Sequence, residues 1–206
     1  MTAFDWFAGI IVIIAFMYLN LLNFIEWVVA LRKGQAVPLL PEGNSRKWPT
    51  WIQVTVNILS IAIFIVIVYF LWIPLIKIPA GIARIFGIIG LLVYITGMVF
   101  LFWARNALGK YWGLSSSRQV KLLDDHQLIQ SGPYAFVRNP MYFGWWVAVL
   151  GLLMLYPTWI MLILFIYSII TFTGRAKHED VALSERFGMQ WTEYKKRTRF
   201  FIPFIY

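Results

Sequence analysis

Residues 139–174 read NPMYFGWWVAVLGLLMLYPTWIMLILFIYSIITFTG, 36 positions without one Asp, Glu, Lys or Arg. A helix crosses a hydrocarbon core of ~30 Å with about 20 residues, so this run is long for one crossing and slightly short for two with a turn between them. Pro157, directly after Leu155 and Tyr156, supplies a break. The stretch therefore predicts a tight hairpin of two helices rather than one long tilted rod. At its start, Pro140 holds Asn139 in extended geometry and itself suits the first turn of a helix.

Working outward, residues 6–25, 49–76 and 85–104 are also free of charge and each is long enough to span. The chain is 61% hydrophobic and 13% charged, with 11 Trp among its 206 residues. A soluble surface needs more charge than that, and Trp suits the headgroup belt of a bilayer. The sequence predicts an all-α integral membrane protein in one membrane domain, 1–206, with about five transmembrane helices over about 5–31, 51–74, 82–104, 140–156 and 158–174. The opening residues MTAFDWFAGIIVIIAF lack a basic n-region and a small-residue cleavage site, so the first span is expected to be retained.

Lys and Arg fall unevenly among the connections: four in 32–47, five in 105–138 and seven from Arg175 onward, against Lys77 and Arg84 in the remaining link. By the positive-inside rule the N-terminus faces outward, and the 105–138 segment and the C-terminal tail share the cytoplasmic side. The formal charge of +9 is scattered between apolar spans, which reads as topology and contact with anionic lipid headgroups rather than nucleic-acid binding. Within the tail, Leu183, Phe187, Trp191 and Tyr194 share a helical stripe, predicting an amphipathic helix over 178–197. There are no cysteines and two histidines, so disulfides and thiolate chemistry are excluded and no metal site is expected.

Polar information concentrates in two places. Gln119, His126-Gln127-Leu128-Ile129, Ser131-Gly132-Pro133-Tyr134 and Arg138-Asn139-Pro140-Met141-Tyr142 crowd one connection. The turns forced by Gly132-Pro133 and Asn139-Pro140 free backbone groups that need partners at the membrane edge, from a cap or from a polar ligand. Arg175, His178, Glu179 and Asp180 follow the last uncharged run. If helical, Arg175 and Glu179 share a face at i and i+4, either as a surface ion pair or as the wall of a charged pocket. Glu26, near the inner end of the first span, is an intramembrane acid close enough to Arg32 to snorkel, and is a candidate for substrate contact.

With both clusters in view, the chain from Gln119 onward resembles the isoprenylcysteine carboxyl methyltransferase family and its phospholipid N-methyltransferase relatives. Ser131-Gly132-Pro133-Tyr134 and Arg138-Asn139-Pro140-Met141-Tyr142 are similar to the family's SGPY…RHPxY segment, and Arg175, Glu179-Asp180, Leu183, Phe187-Gly188 and Tyr194 to its R…EE..L…FG ending. The resemblance implies that Gln119, His126, Gln127, Leu128, Ile129, Tyr134, Asn139, Pro140, Met141, Tyr142 and Glu179 surround S-adenosylmethionine, with S-adenosylhomocysteine as product, in a region formed by 105–142 and 175–206. It implies that Arg175 faces the acceptor and acts in catalysis. Asn139 stands where the family has His, and Asp180 where it has a second Glu; Asn keeps hydrogen bonding but cannot supply an imidazole proton.

The expected activity is methyl transfer to a lipophilic acceptor, a prenylated or other small lipophilic carboxylate of isoprenylcysteine type. Such an acceptor is already ionised near neutral pH, whereas an ammonium must first lose a proton. The competing readings are methylation of a phospholipid or other amine, a non-enzymatic lipid-binding protein, and a nicotinamide-dependent reductase of similar C-terminal architecture. No G-x-G-x-x-G turn follows a strand pattern, which disfavours a soluble-type nucleotide fold.

Overall fold

The computed structural model describes residues 3–32, 49–70, 73–111 and 127–202. Within them the protein is helical: α1 Ala3–Arg32, α2 Thr50–Phe70, α3 Ala80–Leu108, α4 Pro140–Leu155, α5 Trp159–Phe187 and α6 Met189–Arg197, with short 3-10 turns at Gly109–Tyr111 and Gly132–Ala135. Among the described residues three helical stretches are long and apolar enough to cross a membrane, Phe4–Leu22, Ala80–Leu108 and Trp159–Phe187, and Pro140–Leu155 is a shorter apolar helix. The chain forms two compact units, Met1–Leu59 and Ser60–Tyr206.

In the first unit, α1 presents Ile10, Ile13, Ile14 and Met17 outward, as a lipid-facing helix does. Asn20 turns back on the helix and donates to the Phe16 carbonyl at 2.8 Å. At the start of α2, Thr55 does the same to Trp51 at 2.9 Å. Such back-bonding satisfies polar groups where no water is available.

The second unit is built on an antiparallel pair, α3 against α4, whose backbones touch. Gly90 and Gly97 recur seven residues apart on α3, as do Gly144 and Gly151 on α4, and seven residues are two turns, so each pair lies on one face. A Cβ built on Gly97 would lie 2.7 Å from both the Ala148 Cα and the Gly144 oxygen; one on Gly144 would lie 2.8 Å from the Leu101 nitrogen. Small residues allow the close approach that holds helices together in lipid, where apolar burial alone gives no preference for protein over lipid. Leu91, Tyr94, Met98, Leu101 and Ala104 complete the buried face of α3.

The break expected at Pro157 is present, with Tyr156, Pro157 and Thr158 joining α4 to α5. The backbone before α3 pins it: Leu75 N–H donates to the Pro157 carbonyl at 2.9 Å and Trp159 N–H to the Ile73 carbonyl at 3.0 Å. Thr158 caps α5, its hydroxyl accepting from Met161 N–H. Beyond this point the helix differs from the sequence expectation. α5 does not end near residue 174 but runs 29 residues to Phe187, carrying Arg175 to Asp180 in its second half. The tail is consequently not one amphipathic helix over 178–197. Gly188 adopts φ 51°, a left-handed conformation open to glycine, and its N–H closes α5 on the Ser184 carbonyl at 2.9 Å before α6 begins. The predicted stripe still faces inward on both sides of this break, with Trp191 and Tyr194 buried and Leu183 and Phe187 half-buried.

Candidate functional site

Where α5 leaves its uncharged run, three side chains converge. The Tyr142 hydroxyl, on the first turn of α4, donates to Glu179 Oε1 at 2.7 Å. Arg175 Nε donates to the same oxygen at 3.2 Å, one turn earlier on α5. The Tyr142 ring stacks on Phe172 at 5.1 Å between centroids and 18° between planes, and Trp145 meets Phe172 edge-on at 6.1 Å. Helical spacing explains the set: Phe172, Arg175 and Glu179 are i, i+3 and i+7, one face of α5. The Arg175 and Glu179 side chains keep 38% and 20% of their exposure, so the pair itself adds little stability and remains reachable from outside.

A second constellation lies beside the first. Asp180, next to Glu179, takes Lys195 Nζ at 2.9 Å and Arg138 Nε at 3.4 Å. The Arg138 guanidinium also donates through Nη1 to the Thr198 carbonyl at 2.9 Å and the Lys195 carbonyl at 3.3 Å, and it lies over the Phe200 ring at 5.3 Å. These carbonyls belong to the last turn of α6 and its cap, where a cation also complements the helix dipole. Main-chain bonds reinforce the junction: Arg138 N–H to the Arg199 carbonyl at 2.8 Å and Arg199 N–H to the Phe136 carbonyl at 3.0 Å.

The connection leading into α4 is anchored from both sides. Gly132, at φ 61°, lies against Trp103 and Ala107 at the end of α3, and Pro133 and Tyr134 are buried. The Tyr194 hydroxyl donates to the Tyr134 carbonyl at 2.8 Å. Burial pushes the Tyr134 phenol well above its ordinary value, and the nearby Tyr194 and Glu179 push the same way. The Tyr194 phenol is raised by burial as well, against an opposing pull from Arg138.

Of the residues singled out in the sequence, the structure thus brings together Tyr142, Arg175 and Glu179. Tyr134 lies close enough for the Glu179 charge to act on it. Pro140 is fully buried and Met141 half-buried in the first turn of α4. Asn139 donates its amide to the Phe200 carbonyl at 3.1 Å, committing that group to the tail. Gln127 is exposed, and Leu128 and Ile129 are half-buried. Gln119 and His126 lie outside the described residues, as does the side chain of Glu26, on α1 in the other unit. Among the described residues no three His, Cys, Asp or Glu side chains gather as metal ligands. The sequence reading missed the junction formed by Arg138, Asp180 and Lys195; a basic residue just before Asn-Pro and an acid next to Glu179 were its available signals.

Comparison with known proteins bears on this region. The sequence model of the isoprenylcysteine carboxyl methyltransferase (ICMT) family matches residues 88–185. The protein-S-isoprenylcysteine O-methyltransferase of Saccharomyces cerevisiae is 36% identical over 90 residues, covering 42% of this chain and 37% of that protein. Those of Mus musculus and Homo sapiens are 32% and 34% identical, covering 42% and 40% of this chain and 31% and 29% of their own. The chain thus spans about a third of the length of the curated relatives it matches. Among solved structures, that of the eukaryotic intramembrane Ras methyltransferase ICMT shares the fold, with a TM-score of 0.54 at 24% identity, over 91% of this chain and 64% of that one. The stretch matched, 88–185, contains α4, most of α5 and the Tyr142–Glu179–Arg175 cluster, and it is in this part that the chain is similar to the isoprenylcysteine carboxyl methyltransferase family.

Proposed function

We propose that this chain is a membrane-embedded carboxyl O-methyltransferase that uses S-adenosylmethionine and acts on a lipophilic carboxylate of isoprenylcysteine type. The observation that carries this reading is the Tyr142–Glu179–Arg175 cluster, a carboxylate and a guanidinium held on one face of α5 directly after its apolar run. Its chemistry suits cofactor and acceptor together: Glu179 complements the cofactor's ammonium or ribose hydroxyls, and Arg175 the carboxylate of the acceptor. When bound, S-adenosylmethionine supplies a methyl group on a sulfonium, and transfer leaves S-adenosylhomocysteine.

The protein's own task is placement. Tyr142 fixes the Glu179 oxygen, and the family resemblance adds Tyr134, Asn139, Pro140 and Met141, with Gln119 and the 126–129 stretch, as further cofactor-binding residues. Arg175 orients the acceptor carboxylate, which is ionised near neutral pH and needs no general base. The aromatic surface of Tyr142, Phe172 and Trp145 shields the cluster from water on the α4 side. The chain crosses the bilayer about five times as one membrane domain, with its N-terminus outward and the site and C-terminus cytoplasmic, which accords with the Lys and Arg distribution. The substrate is a prenylated or other lipophilic molecule reaching the site laterally from the membrane.

Calorimetric titration of the detergent-purified protein with S-adenosylmethionine and S-adenosylhomocysteine tests the reading. Micromolar affinity is expected, lost in Glu179→Ala. Arg175→Ala is expected to lower kcat/KM for a prenylcysteine carboxylate by about 100-fold with cofactor affinity largely kept. No binding by the folded protein would end the methyltransferase reading in favour of lipid binding, and turnover only of amines, rising with pH, would replace the carboxylate acceptor.

A further inference from the structure

Two tethers join the entrance of α4 to the same turn of α5. One is Tyr142 to Glu179; the other, from consecutive positions on α5 and four residues earlier on the α4 side, is Arg138 to Asp180. The Arg138 and Asp180 side chains retain only 11% and 18% of their exposure. A mostly buried ion pair is costly to desolvate and weak evidence for stability in itself, so its value lies in fixing geometry. Arg138 also holds the end of α6 through the Thr198 and Lys195 carbonyls and stacks on Phe200, while Lys195 returns to the other oxygen of Asp180. The loop α5–Gly188–α6 is thereby closed on itself. The guanidinium fork meets a carboxylate, two carbonyls and a ring at once, which a lysine ammonium, a single point charge, does not reproduce.

We propose that Arg138 and Asp180 are positioning residues for the Tyr142–Glu179 pair, clamping the end of α6 and the 198–201 tail across the site so that Glu179 is presented in one orientation. The inference rests on the reading of Glu179 as the cofactor's carboxylate for its binding consequence, but its geometric content stands apart from it. Lys195 holds one oxygen of Asp180 by a hydrogen bond while Arg138 draws the other by charge alone at 3.4 Å, and this pairing keeps Asp180 away from the cluster and sets the rotation of α5 by which Glu179 meets Tyr142.

Two measurements on the full-length protein in detergent test the proposal. In a thermal double-mutant cycle, Asp180→Asn and Tyr142→Phe are combined; the Tm loss of the double variant is expected to be smaller than the sum of the single losses, because the first change already loosens what the second removes. In calorimetry with S-adenosylmethionine, Arg138→Lys and Asp180→Asn are expected to weaken affinity about tenfold, with Asp180→Glu recovering most of it and Lys196→Gln, on the exposed face of α6, as control. Additive Tm losses would overturn the proposal. So would unchanged affinity in the folded variants of a protein that binds the cofactor, since the junction would then hold the fold without aiming the site. If the wild-type protein binds no S-adenosylmethionine, the proposed function fails, and the cycle alone decides this inference.

Discussion

The α3–α4 seam and the α4–α5–α6 junction share a helix and are held by opposite means. At the seam, backbones meet through Gly90, Gly97, Gly144, Ala148 and Gly151, and only shape decides the fit. At the junction, Arg138, Asp180, Lys195 and Tyr194 meet through charge and directed hydrogen bonds. The first has no tolerance for added atoms, and the second none for lost ones. A rigid apolar seam gives α4 a fixed seat, against which the polar junction can set the position of α5 to within one hydrogen bond.

The largest effect is expected from Gly97→Leu. Its Cβ alone falls 2.7 Å from Ala148 Cα, which is backbone and cannot swing aside, so the helices must part. Overpacking usually costs about 1–3 kcal/mol, and here the upper end or more is expected, seen as loss of monodisperse protein and a Tm drop in detergent. Survival of Gly97→Leu with an unchanged Tm would mean that the seam is not backbone-tight.

Alkaline pH acts next, through the buried tyrosines of the junction. The protons of Tyr134 and Tyr194 are held above their ordinary pKa of 10.0. Their contribution is complete below about pH 10; above it the unfolded chain binds fewer protons than the folded one, so stability falls as pH rises, by on the order of 1 kcal/mol per tyrosine per pH unit. Melting followed between pH 8 and 11, with tyrosinate absorbance as a second probe, should show Tm falling only beyond about pH 10. Tyr194→Phe should then cost about 1–2 kcal/mol at neutral pH, by leaving the Tyr134 carbonyl without this donor, and should flatten the alkaline decline. The smallest effect belongs to Thr158→Ala at the start of α5, where the capping bond is long at 3.4 Å and its loss should cost less than about 1 kcal/mol.

The apolar elements were legible because length without charge is a direct signal, and Pro157 marks its own break. The course of α5 beyond Gly174 was not, because charges at Arg175 to Asp180 read as an exit from the membrane, whereas a helix continues through charge as long as its backbone is satisfied and nothing breaks it before Gly188. The glycine seam was present as a seven-residue spacing on two separate spans, but spacing acquires meaning only when the partner is known. At the site, the pairing of Arg175 with Glu179 followed from i, i+4 geometry, and its role only from the family resemblance. Tyr142 needed the tertiary fold to meet them, and Arg138 stood in the quoted motif without a role because its partners are 42 to 62 residues away in sequence.

The unbroken α5 also measures distance. At about 1.5 Å per residue, the 20 steps from Trp159 to Glu179 rise roughly 30 Å, the thickness of a bilayer's hydrocarbon. Were Trp159 to lie at one boundary of that layer, Glu179 would come level with the opposite one and Arg175 one turn beneath it. An amphiphile resting in the same leaflet carries its own polar head at that height. Thinning or thickening the bilayer would submerge or lift the carboxylate relative to that head, making α5 a gauge that couples the cluster to the membrane in which it stands.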